Sequence, residues 1–398
     1  MIPVLAPKIN RSDFTSLFNV NKNIDKIFNK KLKESFNFKY SQTFSSGRAA
    51  LFNILKGNGI KNKLIIVSSY TCCVVTEAIV QSNNKPFFID TEKYSFNAKI
   101  TEEIIKININ DIGAILITNL FGFSDFSNLS YLKKMNKKFL VIVDDSMSPG
   151  HAMKSNSNLI DYIFISSNVR KPYTCLGGGL AFTNSKMMYN NLFEYVVSKR
   201  KNLGFVKILK KFIFCLICMI SFYPIVYRVL RILTKRTNLL NIFYNERNNN
   251  IYSYVNEYYN DMCSFQKSVG LNQLTKLNYL LENRKIIGNN YYRIFTPIFS
   301  ELKNYWKINT QYSHLPFLHP NRNKLQKYLY RNGIDTELYF DYIIPELKQY
   351  ISNNDYPNSK HVSENIINLP LNYNLKVNDI KKILKTIKNF NMIKKFNI

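Results

Sequence analysis

Three short stretches hold the residues that can do chemistry. Ser166-Ser167-Asn168-Val169-Arg170-Lys171 sets a lysine just past an apolar run and just before Gly177-Gly178-Gly179. Leu140-Val141-Ile142-Val143-Asp144-Asp145 is a short apolar run that ends in two carboxylates. Ser45-Ser46-Gly47-Arg48-Ala49-Ala50-Leu51 is a small-residue turn leading into helical spacing. A lysine amine can condense with an aldehyde. An aspartate closing a buried strand can hold a ring nitrogen protonated, and a Ser/Gly turn at a helix N-terminus can cradle a phosphate. Together these are the requirements of pyridoxal 5'-phosphate (PLP) chemistry. None is specific alone, because most lysines in a chain with 55 Lys+Arg are solvated surface groups. An aspartate after a strand also reads as a helix N-cap, and the glycines also read as a plain tight turn.

Such residues need a rigid frame. Helical spacing runs over 49–56, 76–81, 324–331 and 379–388, and a long helix is expected from Asn272 to Arg284. Buried strands are expected at 64–67, 86–90, 114–117, 139–143, 162–166, 180–183 and 315–318. Continuous apolar strands alternating with helices predict an α/β fold, a parallel or mixed sheet covered on both faces. In such sheets ligands bind beyond the carboxyl ends of the strands. Asp145 and Ser166 fall at those ends.

The chain has 398 residues, enough for a large core, and a net charge of +29. That charge has two readings: an anionic partner such as nucleic acid, membrane or phosphorylated substrate, or a compositional drift toward lysine and asparagine. No nucleic-acid-binding motif accompanies it, so no nucleic-acid partner is expected. The six cysteines are scattered without a secretory leader, which predicts reduced thiols in the cytoplasm. Cys215 and Cys218 have C-x-x-C spacing but no second ligand pair, so no metal site is expected.

The sequence divides into a large N-terminal domain (1–204), an apolar insertion (205–240), a helical return (241–300) and a small α+β domain (301–398). The insertion carries Phe212 to Tyr227 almost wholly apolar, with Lys207, Lys210 and Lys211 on one side and Arg228, Arg231, Lys235 and Arg236 on the other. The apolar run is short for a membrane span and contains Pro224. An in-plane or re-entrant membrane anchor at the inner face of a membrane fits it better. The alternative is a buried helix or hairpin, as at a subunit interface.

Taken together, the motifs resemble the DegT/StrS family of PLP-dependent sugar aminotransferases, from about Ser45 to Phe390. The family's S-G-T-x-A-L is similar to Ser46-Gly47-Arg48-Ala49-Ala50-Leu51. Its P-x-Y-T-F and P-V-F-V-D match Ser68 to Cys72 and Pro86 to Asp90 in spacing. Its H-L-Y-G, E-D-A-A-Q and S-F-x-x-x-K correspond to Asn119 to Gly122, Asp144 to Ser148 and Ser166 to Lys171. Asn368 to Tyr373, with Val377 to Ile380, also looks like the family. The resemblance implies PLP-dependent transferase fold type I: a mixed, mostly parallel sheet between helices, with a smaller C-terminal α+β domain and a homodimer. It implies that Lys171 carries the cofactor and moves protons, and that Asp145 pairs with the ring nitrogen. Ser46, Gly47, Arg48 and Ser166 would hold the phosphate. Cys72, Ser148 and, from the other subunit, Asn260 would complete the cofactor site.

This chain departs from the family at several of these positions. Cys72 stands where an aromatic ring stacks on the cofactor, with Tyr70 as a candidate substitute. Ser148 replaces a glutamine. Tyr259 aligns with the partner asparagine, leaving Asn260 one place off. Arg48 replaces a threonine, and its guanidinium could grip phosphate bidentately. The resemblance implies amino transfer from glutamate or glutamine to a nucleotide-linked (or lipid-linked) keto-sugar for surface polysaccharide. Two alternatives are a catalytically degenerate, membrane-associated scaffold and a PLP-dependent sugar dehydratase. Retained Lys171 argues against the dehydratase.

Overall fold

The computed structural model describes all residues except 5–8, 95, 99, 102–109, 124–125, 127–138, 151–158, 222–225, 227–228, 230–256, 351, 353 and 396–398. The far part of the apolar insertion, including Pro224, Arg228, Arg231, Lys235 and Arg236, lies outside the described residues.

A seven-stranded sheet runs β1-β7-β6-β5-β4-β2-β3. Its strands are β1 Tyr40–Phe44, β2 Leu64–Ser68, β3 Lys85–Ile89, β4 Ile112–Thr118, β5 Leu140–Asp144, β6 Tyr162–Ser166 and β7 Gly179–Thr183. Only β7 runs against the rest, pairing antiparallel with β1 and β6. The central strands are apolar at successive positions because both faces are covered. On one face Ile115, Ile117, Val141, Val143, Ile163 and Ile165 meet Phe28, Leu32 and Phe36 of helix α2 (Ile24–Phe36). On the other, Ile65, Val67, Ala114, Leu116, Ile142 and Phe164 meet helices α3 (Gly47–Gly57), α4 (Cys73–Gln81) and α5 (Lys186–Lys199). Helix α1 (Arg11–Phe18) lies ahead of α2.

Helix α6 (Phe205–Ser221) follows α5, and α7 (Ser264–Thr275) and α8 (Leu277–Phe295) lead to the second core. That core surrounds a two-stranded antiparallel sheet, β8 Leu315–Leu318 with β9 Ile366–Leu369. Helices α9 (Arg322–Arg331), α10 (Pro357–Asn365) and α11 (Val377–Lys395) accompany it. Helix α8 links both: Leu277 and Leu281 belong to the sheet core, Ile287, Tyr291 and Phe295 to the second. The chain's first residues also reach that core, where Ile2 pairs with Ile334.

Two expectations meet corrections. The single helix from Asn272 to Arg284 is two helices sharing Lys276 as a cap, with φ −114° and ψ 7°. The Lys276 ammonium is paired there with the wholly buried Asp13 of α1. Strand β1 escaped notice because Ser41, Gln42 and Thr43 are polar yet buried.

The packing of β7 against the α3 turn is tight. Ser46 bridges Gly178, and a methyl group on Gly179 would fall 2.1 Å from the Ser46 carbonyl oxygen. Backbone on both sides leaves nothing flexible to yield. Gly179→Ala is therefore expected to lower stability by about 1–3 kcal/mol, the usual cost of overpacking. Gly204→Ala, where nothing lies within 4 Å, should stay within ~0.5 kcal/mol. Urea denaturation of the two variants measures the contrast.

Candidate active site

The site is built at the carboxyl edge of the parallel strands. Asp145 follows β5 and is wholly buried. Because β4 is the neighbour of β5, Asn119 after β4 reaches it: the Asn119 amide donates to Asp145 Oδ1 at 2.7 Å. The Gly150 N–H donates to Asp145 Oδ2 at 2.8 Å. Two such donors favour the charged carboxylate where solvent cannot. Asp144 is the last residue of β5 and leaves on the face of Ile142, toward α3. Burial pushes its pKa up, while the nearby Lys171 charge and hydrogen bonds from Ser146 pull it down.

Lys171 stands in a loop organised around Ser167. The Cys175 and Gly177 N–H groups donate to the Ser167 carbonyl, and the Ser167 hydroxyl donates to the Gly177 carbonyl. The Lys171 amine lies 3.6 Å from Met147 Sδ and 5.9 Å from the Tyr339 ring centre. The preceding residue, Arg170, forms an ion pair with Glu337 at 2.6 Å, tying this loop to the second core. Tyr339 stacks on His314 with ring centres 4.5 Å apart. His314 is buried, so its pKa sits well below 6.5; burial is the main cause, and the charges of Lys171, Arg170 and Arg284 add to it.

The phosphate turn is equally defined. Ser46 caps α3, its hydroxyl accepting from the Ala49 N–H at 3.2 Å. A methyl on Gly47 would meet Ser166 Cβ at 2.7 Å, so only glycine lets α3's N-terminus lie against β6. Ser166 in turn is held by its N–H donating to Ser146 Oγ at 2.8 Å. Thus Ser46, Gly47, Ser166, Asp144, Asp145 and Lys171 share one edge.

Other expected residues sit differently. The Arg48 guanidinium turns to Glu77 at 3.0 Å, so the grip expected of its side chain on phosphate is not what the structure displays. Its backbone N–H remains at the start of α3. Tyr70 is engaged elsewhere: its hydroxyl accepts from the Phe340 N–H at 2.8 Å, which fixes the ring in the second core. Cys72 is half-buried at the start of α4. The Asn260 carbonyl accepts from the Ser45 N–H at 3.0 Å, beside this chain's own turn. Asn260 also lines a cleft of about 460 Å³ with Lys201 and Lys207. Ser148 is buried, and its hydroxyl carries no hydrogen bond among the described residues. The same holds for Thr71 Oγ1, Thr118 Oγ1 and Asn119 Oδ1. Four unpaired buried polar atoms on this edge suit a polar ligand, since burial without a partner costs about 1–3 kcal/mol each. The N-terminus of α3, which opens at Gly47, suits a phosphate. These residues fit PLP.

The matches to known proteins agree. The model of the DegT/DnrJ/EryC1/StrS aminotransferase family matches residues 12–206 and 234–388. This chain belongs to that family. A Campylobacter jejuni relative, UDP-4-amino-4,6-dideoxy-N-acetyl-beta-L-altrosamine transaminase, is 22% identical over 374 residues, 90% of this chain and 88% of that protein. Helicobacter pylori PseC, an aminotransferase involved in the biosynthesis of pseudoaminic acid, superposes with a TM-score of 0.72 at 17% identity, covering 98% of each chain. A Streptococcus pneumoniae protein described as a sugar aminotransferase, in its PMP form, gives 0.73 at 18% identity, again over 98% of each. The fold is the PLP-dependent type I fold, and PLP is the cofactor of this family member.

Sequence reasoning missed Asn119's bond to Asp145, and it missed His314, Tyr339 and Glu337 altogether. His314 carries a testable consequence. Its native pKa lies below the unfolded value of 6.5. Below that pH the unfolded chain takes up a proton that the native state refuses, so stability falls with acidification. The slope from this group is at most about 1.4 kcal/mol per pH unit. Urea denaturation between about pH 7 and pH 5 should show this slope, and His314→Gln should flatten it.

Proposed function

We propose that the chain moves an amino group from glutamate or glutamine to a keto-sugar carried on a nucleotide, in the assembly of a surface polysaccharide. The observation that carries the reading is the Lys171 amine at the same strand edge as a wholly buried Asp145. The nucleotide-sugar substrate class is taken from the name of the Campylobacter jejuni relative.

Each residue has one task in this reading. Lys171 carries the cofactor, and its Nζ takes a proton from the amine-bearing carbon and returns it. When bound, the cofactor ring supplies an electron sink for that carbon. Asp145, its charge fixed by Asn119 and Gly150, keeps the ring nitrogen protonated. Asp144 balances the Lys171 charge. The first N–H groups of α3, with Ser46 and Ser166, hold the phosphate. Ser148 offers its unpaired hydroxyl to the ring substituent. The same reading makes the protein a homodimer, in which Asn260 completes the partner's site, working at the cytoplasmic face of a membrane.

The test is to incubate the holoprotein with glutamate or glutamine and a UDP-linked keto-sugar, and to follow the UDP-amino sugar by mass spectrometry. Product should form, and Asp145→Asn should slow it about a hundredfold or more, beyond the loss of a single ordinary hydrogen bond. Asp144→Asn should be milder. The reverse order would give the ring nitrogen to Asp144. Light scattering should return a dimer, and an active monomer would contradict the shared site.

A further inference from the structure

Helix α6 presents apolar side chains on two faces. Its inner face is accounted for. Cys215 and Met219 are buried against Val169 and Leu176 of the lysine loop and against Cys263, Phe265 and Val269 around α7. The Phe212 ring meets Phe265 and Phe18 edge-on, at 5.4 and 5.5 Å between centres. Its outer face is not accounted for. Val206, Leu209, Ile213, Ile217 and Ile220 recur at three- and four-residue spacing, so they form one stripe along the helix. They are between 44% and 63% exposed, and Phe205 at the near end is 77% exposed. Beside the stripe, toward one flank, run Lys207, Lys210 and Lys211, and the helix contains no acidic residue. Arg200 and Lys201 precede it.

We propose that α6 docks in the plane of an anionic lipid bilayer, its outer stripe among the acyl chains and its lysines at the headgroups. The chemistry of the flank selects this occupant. Pairing the stripe with a second copy of α6 would set two lysine rows beside one another, with no carboxylate on either helix to answer them. Anionic headgroups do answer them. The 17 residues described rise about 26 Å, and Lys207, Lys210 and Lys211 interrupt their apolar surface. No helix among the described residues is long and apolar enough to cross a membrane. The inner face bears on Val169 and Leu176, on either side of Lys171 in sequence. Docking therefore holds the catalytic loop about one helix diameter, ~10 Å, from the lipid. The inference does not depend on which sugar is aminated.

The experiment is flotation of the full-length holoprotein with vesicles of phosphatidylcholine alone and of phosphatidylcholine mixed with phosphatidylglycerol. The protein should float with the mixed vesicles. Ile213→Asp with Ile217→Asp, on exposed positions, should abolish flotation while the cofactor's visible absorbance stays. Each of Lys207→Gln, Lys210→Gln and Lys211→Gln should lower affinity for the anionic vesicles about fivefold, the contribution of one basic group near such a surface. No binding to the mixed vesicles, or equal binding by the Ile213→Asp/Ile217→Asp variant, would overturn the proposal. So would a variant that halves the mass in light scattering and leaves flotation unchanged, which would assign the stripe to a second copy.

Discussion

A carboxylate with no access to water has to be solvated by the protein, and Asp145 is the point where this fold meets that demand. Its two oxygens take hydrogen bonds from the Asn119 amide and the Gly150 backbone. Neither donor titrates, and each favours the charged form of the carboxylate. The arrangement is possible only because β4 lies beside β5, so that the residues leaving the two strands, Asn119 and Asp145, become neighbours. The cofactor site follows from this edge. Parallel strands end together, their following residues converge, and the α3 N-terminus closes the far side against Ser166.

The lysine is fixed by a second set of constraints. Its loop folds back on Ser167, is buttressed on one side by α6 and is tied across to the second core by Arg170 and Glu337. Tyr339 comes from that side to face the amine, with His314 stacked on its ring. Burial keeps His314 neutral, so it adds no further positive charge beside Lys171. The second core therefore borders the lysine loop, through side chains more than a hundred residues distant in sequence.

Much of this was legible in the sequence. The apolar runs at 64–67, 114–117 and 162–166 are strands because burial on both faces forbids polar alternation. The small-residue turn at 45–47 reads as the opening of a helix, and Ser46 caps that helix. Asp145 and Ser166 fall at strand ends, as the apolar runs before them predict. What escaped was set by tertiary contact. Nothing local distinguishes His314 or Tyr339 from other buried rings; only the closing of one core on the other makes them site residues. Arg48 reads as a phosphate ligand until Glu77, on the next helix, takes its charge. Strand β1 hides its edge position behind polar side chains, and the break at Lys276 depends on a carboxylate in α1. The apolar insertion was visible at once, but the two-faced character of α6 emerges only when Cys215 and Met219 are seen buried and Ile213 and Ile217 are not.

The central claim is that Lys171 is the residue that carries the cofactor. Borohydride reduction of the PLP-loaded protein, followed by proteolysis and mass spectrometry of the peptides, tests it directly. The pyridoxyl group should be found on Lys171, with its fluorescence lost in Lys171→Ala. A label on any other lysine, or a reduced protein carrying none, would contradict the account.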